Sequence, residues 1–97
     1  MLPLTLRVEA RADFDEAFDW YERQRAGLGA DFVARVQAVL DFIVERPELY
    51  PRVLQDVRRA VVARFPYLVY YQVEAGRVVV LAILHGSRDQ SLWRERL

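Results

Sequence analysis

Residues Val78 to Leu84 read Val-Val-Val-Leu-Ala-Ile-Leu, an apolar run without interruption. The run is far too short to cross a bilayer as a helix, and its β-branched content marks it as a strand. A strand that is apolar at every position needs cover on both faces, so it belongs in the interior of a sheet. At an open edge the same run would invite aggregation. Tyr67 to Glu74 forms a second strand just before it, and Ala75-Gly76 between the two is a hairpin turn of two residues. A chain containing this hairpin must build a sheet around it and provide material for both of its faces.

The rest of the chain supplies that material. Leu4, Leu6 and Val8 alternate with Thr5, Arg7 and Glu9, which predicts a half-buried strand over residues 4–9. The period then changes. Phe14, Ala17, Phe18 and Tyr21 share one face of a helix predicted over residues 12–24. Asp13, Asp15 and Glu16 fall in its first turn and Arg23 and Arg25 at its end, each at the favourable end of the helix dipole. Gly27-Leu28-Gly29 breaks the pattern. Phe32, Val36, Val39, Leu40 and Ile43 form the inward stripe of a second helix, from about residue 30 to 45, which Pro47 ends. So short a link implies an antiparallel helical hairpin. Tyr50 is expected to plug the Pro47–Pro51 loop against the core. Arg58 to Phe65 is a further strand, with Pro66 at the turn into Tyr67. Residues 89–97 form a short helix or a loosely packed tail. The order β-α-α-β-β-β predicts an α+β fold, a helical hairpin packed on a mostly antiparallel four-stranded sheet. The side of the central hairpin on which the first strand pairs stays open.

Ninety-seven residues make one domain, residues 1–97, with one core. There is no cysteine, which removes disulfide and thiol chemistry and fits a cytoplasmic location. No signal peptide or membrane span is visible. The net charge is zero, but residues 1–50 carry six Arg against ten acids and residues 51–97 eight Arg against four. The strand-rich half is therefore basic and suited to an anionic or protein target. Every basic residue is Arg, so planar bidentate contacts are available and a lysine base is not.

Several segments together carry a family resemblance. They are Ala17-Phe18-Asp19-Trp20-Tyr21-Glu22, Arg64-Phe65-Pro66-Tyr67, Val69-Tyr70-Tyr71-Gln72-Val73 and Val80-Leu81-Ala82-Ile83-Leu84-His85-Gly86-Ser87-Arg88. In this order and spacing the chain resembles the RelE/ParE superfamily, the toxins of bacterial type II toxin–antitoxin modules. The resemblance implies a protein of growth inhibition and plasmid stabilization, neutralised in a hetero-oligomer with a cognate antitoxin. Some members of the superfamily cut mRNA in the ribosome, and others act on DNA gyrase without known nuclease chemistry.

Metal-free RNA cleavage needs a group to activate the 2′-OH, a cation at the phosphate and an acid for the leaving oxygen. His85 is the only histidine, and with Arg64 it is the candidate catalytic pair of a RelE-like enzyme. Its plainer role is a local hydrogen-bonding cap at the strand end. Ribosome-dependent members often carry a Tyr or His near the C-terminus, and here nothing after His85 is either. That gap favours ParE-like inhibition of gyrase through protein contacts. The remaining reading is a homologue that binds its antitoxin without toxicity. Candidate target- or antitoxin-binding residues are Arg58, Arg59, Arg88, Trp93 and Arg94. Arg58 and Arg64 would share one side of a regular strand, and the plain account of such a stripe is a charged sheet edge. Trp93 and Leu97, four apart, would share one side of a helix, as core or as a partner anchor. Trp20 lies off the helix stripe and is expected against the second helix, the alternative being a place in an interface. The acids Asp13, Asp15, Glu16 and Asp19 have no His or Cys partner, so neither a metal site nor a cofactor is expected.

Overall fold

A computed structural model describes all 97 residues. The elements are β1 (Leu4–Leu6), α1 (Val8–Gln24), α2 (Leu28–Glu45), β2 (Arg52–Leu54), β3 (Val57–Val61), β4 (Tyr67–Glu74), β5 (Arg77–His85) and a 3₁₀ helix (Gln90–Arg96). They form an α+β fold with one sheet of order β1-β5-β4-β3-β2. Only the β1–β5 pair is parallel. The sheet has five strands instead of four, because Arg52–Leu54 adds a short strand against Arg58 and Val57. Three residues are too few to show a period.

β5 lies between β1 and β4, and both its faces are covered. Val78, Val80 and Ile83 meet the helical hairpin in one apolar cluster, with Phe32, Val36, Ile43 and Tyr71. Val79, Leu81 and Leu84 meet Tyr70 and Trp93 in a second cluster on the opposite face. The ladder slips between Tyr70 and Tyr71, where Ala82 and Val80 are their partners, so Leu81 is the extra residue of a bulge in β5. At the hairpin turn Ala75 and Gly76 both take positive φ, 53° and 72°, as a type I′ turn demands.

The predicted first strand is cut short at Leu6, and Val8 and Glu9 are already helical. β1 pairs only with Val78–Val80, the Arg7 N–H closes on the Val80 carbonyl, and the chain turns away. Val8 is then 84% exposed, against the alternation that suggested burial. α2 begins two residues earlier than expected because a carboxylate stands at its start. Glu22, from the end of α1, accepts the N–H groups of Gly27 at 3.0 Å and Gly29 at 2.8 Å, orphan donors of a helix N-terminus. A Cβ at Gly29 would sit 2.5 Å from Glu22 Cγ, so this approach needs glycine.

The strand predicted to reach Phe65 stops at Val61, and Arg64 takes φ 70° in the following turn. Arg58 and Arg64 therefore do not lie on one regular strand. Tyr50 does pack on the core, with its ring 5.7 Å from Phe42 and 6.4 Å from Tyr71. Trp20, expected against α2, is half exposed and edge-on to Tyr21 at 5.1 Å.

Candidate functional site

The C-terminal end of β5 and the exposed side of α1 enclose a cleft of about 440 Å³. His85, Ser87 and Arg88 line one wall, and Glu16, Trp20 and Arg23 the other. His85 is held at the strand end. Its Nδ1 accepts the Ser87 N–H at 2.9 Å and lies 2.8 Å from Ser87 Oγ, which leaves the proton of the neutral ring on Nε2. The Tyr67 ring meets the imidazole edge-on at 5.2 Å. Burial pushes the Tyr67 phenol above its usual pKa, and neighbouring Tyr21 and Glu16 add to this against the opposing Arg88. Tyr67 is thus harder to ionise than a free tyrosine.

Asp13 forms the floor of the cleft and is already engaged. It accepts the Ile83 N–H at 3.0 Å and two bonds from the Arg96 guanidinium, at 2.6 and 3.2 Å. Arg96 also donates at 3.1 Å to the carbonyl of Leu81, the bulged residue itself. This ion pair occupies the outer edge of β5 beyond the reach of β1. No sequence signal marks it, because Asp13 is one of several acids on α1 and its partners are distant in the chain.

The other candidate residues are scattered. Arg58 donates to the carbonyls of Glu48 at 3.0 Å and Tyr50 at 2.6 Å, so it clamps the loop after α2. The Tyr71 hydroxyl fixes the same loop by donating to the Pro47 carbonyl at 2.6 Å. Burial raises the Tyr71 pKa to about 12, although Arg58 pulls the other way. Arg59 is exposed beside Tyr70 in the ladder. Arg64 lines a different groove, against α2. His85 and Arg88 share the cleft, and Arg64 does not join them.

Trp93 is buried, stacked on Tyr70 with ring centroids 5.5 Å apart, so it is not available to a partner while the 3₁₀ helix is docked. Arg94 lies exposed over its ring at 5.4 Å. Leu97 does not follow Trp93 inward and is 54% exposed. A 3₁₀ turn holds three residues, so positions four apart diverge. The helix is secured by Gln90, which accepts from the Tyr70 hydroxyl at 2.6 Å and donates to the carbonyls of His85 and Arg88. Asp89 caps it, and the Ser91 N–H and hydroxyl hold its carboxyl below the usual range.

Residues 4–90 match the model of a family described as the ParE toxin of the type II toxin–antitoxin system, parDE. Among solved structures the chain is similar to one titled "Chromosomal ParDE TA system from P. aeruginosa". The TM-score is 0.65 and the identity 20%, over 88% of this chain and 96% of that one. No curated protein sequence matches significantly. No helix is long and apolar enough to cross a membrane.

Proposed function

The chain belongs to the ParE toxin family of type II toxin–antitoxin systems, and on that premise we propose that it inhibits DNA gyrase through protein contacts in the cytoplasm. A cognate antitoxin, bound in a hetero-oligomer, neutralises it. The observation that carries the gyrase reading is the state of the groups nuclease chemistry would need. The Nδ1 of His85 is engaged by Ser87, and the Tyr67 phenol beside it is harder to ionise. Three of the arginines are placed away from His85 or already bound: Arg58 is held by loop carbonyls, Arg96 by Asp13, and Arg64 lines another groove. Plasmid supercoiling by purified gyrase, with and without the protein, tests the proposal. Inhibition or trapped cleaved DNA supports it, and full supercoiling activity beside folded protein would sink it.

One arrangement favours a second reading, ribosome-dependent mRNA cleavage. His85 and Glu16 line the same cleft as Arg23 and Arg88, so an acid/base candidate and two cations share one space. Under that reading His85→Ala abolishes toxicity. Under the gyrase reading toxicity survives. Overexpression without growth arrest would leave a homologue that binds its antitoxin and does nothing more.

A further inference from the structure

β1 closes one side of the sheet, whose order begins β1-β5. The pair is parallel, with Leu4 opposite Val78 and Leu6 opposite Val80. The Val78 N–H donates to the Pro3 carbonyl, and the Arg7 N–H to the Val80 carbonyl. These bonds fix the alternation. The backbone groups of Thr5 face β5, and the N–H and C=O of both Leu4 and Leu6 face away from it. Neither leucine takes part in a loop, turn or cap bond through its backbone. No charged side chain within Leu4–Leu6 blunts this edge, so it is a template for another strand. Leu4 and Leu6, half-buried, lean on the helix layer, and Thr5 stands exposed on the other face.

The edge is complementary to itself. Laid antiparallel to a second copy, β1 satisfies every outward group in one register only, with Leu4 opposite Leu6 and Leu6 opposite Leu4 of the second copy. Pairing Leu4 with Leu4 leaves Leu6 without a partner. A slip of one residue sets the outward groups against Thr5, whose own are committed to β5. In the register that remains, Thr5 faces Thr5 across a two-fold axis, with Cα atoms about 4.5 Å apart. Facing threonines are a favourable cross-strand pair. The leucines of both copies close up on the helix side and cover flanks that the single chain leaves wet. No like charges meet, since Arg7 comes opposite Pro3. The same register carries Val8, 84% exposed in the single chain, toward Leu2 of the second copy. The adjoining groove of about 410 Å³ sets Arg7 and Arg77 against Glu9 and Glu74, so its charge selects neither an acidic nor a basic peptide.

We propose that two copies of this chain pair through β1, antiparallel about a two-fold axis at Thr5, so that one sheet runs through both. The arrangement is isologous and closed, because each copy uses up its β1 edge in the contact. It stands independently of the gyrase reading and of the antitoxin. A strand contact three residues long is small beside a stable interface, so the dimer is weak, with a Kd between about 1 µM and 1 mM. Its effect is to cover the edge, with Val8 beside it, when the free chain accumulates.

The test is sedimentation equilibrium of the 97-residue protein over a concentration series, with amide hydrogen exchange at matching concentrations. The mass rises toward that of two copies, and the Leu4 and Leu6 amides slow as it does. Thr5→Lys and Thr5→Glu each set like charges face to face on the axis and weaken the dimer about two- to fivefold. Each leaves the melting temperature of the dilute chain within a few degrees, because the side chain is exposed. Mixed in equal amounts, the two variants pair with each other at least as tightly as the natural chain pairs with itself, since opposite charges now meet. A chain that remains a single copy at about 1 mM overturns the proposal. A dimer that neither charge weakens, or that mixing does not restore, puts the axis elsewhere and overturns it too. So does slowing of β3 amides with none at Leu4 and Leu6, which assigns the contact to the other side of the sheet.

Discussion

Replacing Asp13 by alanine removes one carboxylate and leaves two groups without it. The Ile83 N–H loses its acceptor, and the Arg96 guanidinium keeps only the Leu81 carbonyl. The side chains of Arg96 and Asp13 are 14% and 9% exposed, so the pair behaves as a mostly buried one. Breaking a buried pair by deleting one partner costs about 3–5 kcal/mol. Arg96 keeps some access to water and can swing outward, which points to the lower end, about 3 kcal/mol. In a domain of this size each kcal/mol moves the midpoint by about 4–8 °C, so the melting temperature should fall by about 12–24 °C. Arg96→Ala should cost less, about 2 kcal/mol, because Asp13 retains the Ile83 N–H. Asp13→Asn separates charge from hydrogen bonding, since the amide oxygen still accepts from Ile83. Urea unfolding of both single mutants and the double mutant gives a coupling energy, expected near 1.5 kcal/mol and little changed by salt. Additivity within about 0.5 kcal/mol would refute the reasoning, because it would make the contact equivalent to an exposed ion pair.

Gly29→Ala should destabilise by about 1–3 kcal/mol in thermal melts, since the added Cβ falls 2.5 Å from Glu22 Cγ and forces the carboxylate off the start of α2. Ala75→Asn should stabilise by about 1 kcal/mol, because an alanine at φ 53° carries a left-handed penalty that asparagine partly avoids. Tyr71 confers a pH dependence whose sign follows from its raised pKa of about 12. The folded state holds the phenolic proton more tightly than the unfolded chain. The contribution, about 3 kcal/mol, is therefore complete below pH ~10 and disappears as the pH rises through about 12. Denaturant titrations across that range should show the loss in the natural sequence and a smaller one in Tyr71→Phe.

The elements that were legible in the sequence are those whose period is local and long. The β4–β5 hairpin follows from its apolar run and its Ala75-Gly76 turn, and the stripe of α2 was readable residue by residue. Errors fall where a tertiary contact ends an element. Val8 and Glu9 continue an alternation of only a few residues, and it is the short reach of β1 along β5 that makes them helical. β3 ends at Val61, and the turn in which Arg64 takes positive φ separates Arg64 from Arg58; no residue type at that position announces it. At the candidate site, the proximity of His85 and Arg88 follows from their closeness in the chain. Glu16, Trp20 and Arg23 join them only because α1 runs beside the end of β5, a placement that depends on strand order. Tyr21 fits the helix stripe and is buried, and its neighbour Trp20 is thereby turned toward the cleft.

The pairing of β1 with β5 has a kinetic consequence. The helical hairpin comes before the strands it packs on, and its contacts between α1 and α2 are near in sequence, so it can form on its own timescale. Its apolar stripe nevertheless stays wet until β4 and β5 exist, and β1 has no partner until β5 is in place. A chain interrupted before Arg77 lacks both the platform for the helices and the strand that β1 zips onto. The domain should then fold in one cooperative step limited by distant pairings, slowly for its length, and no truncation that omits β5 should yield a protected core.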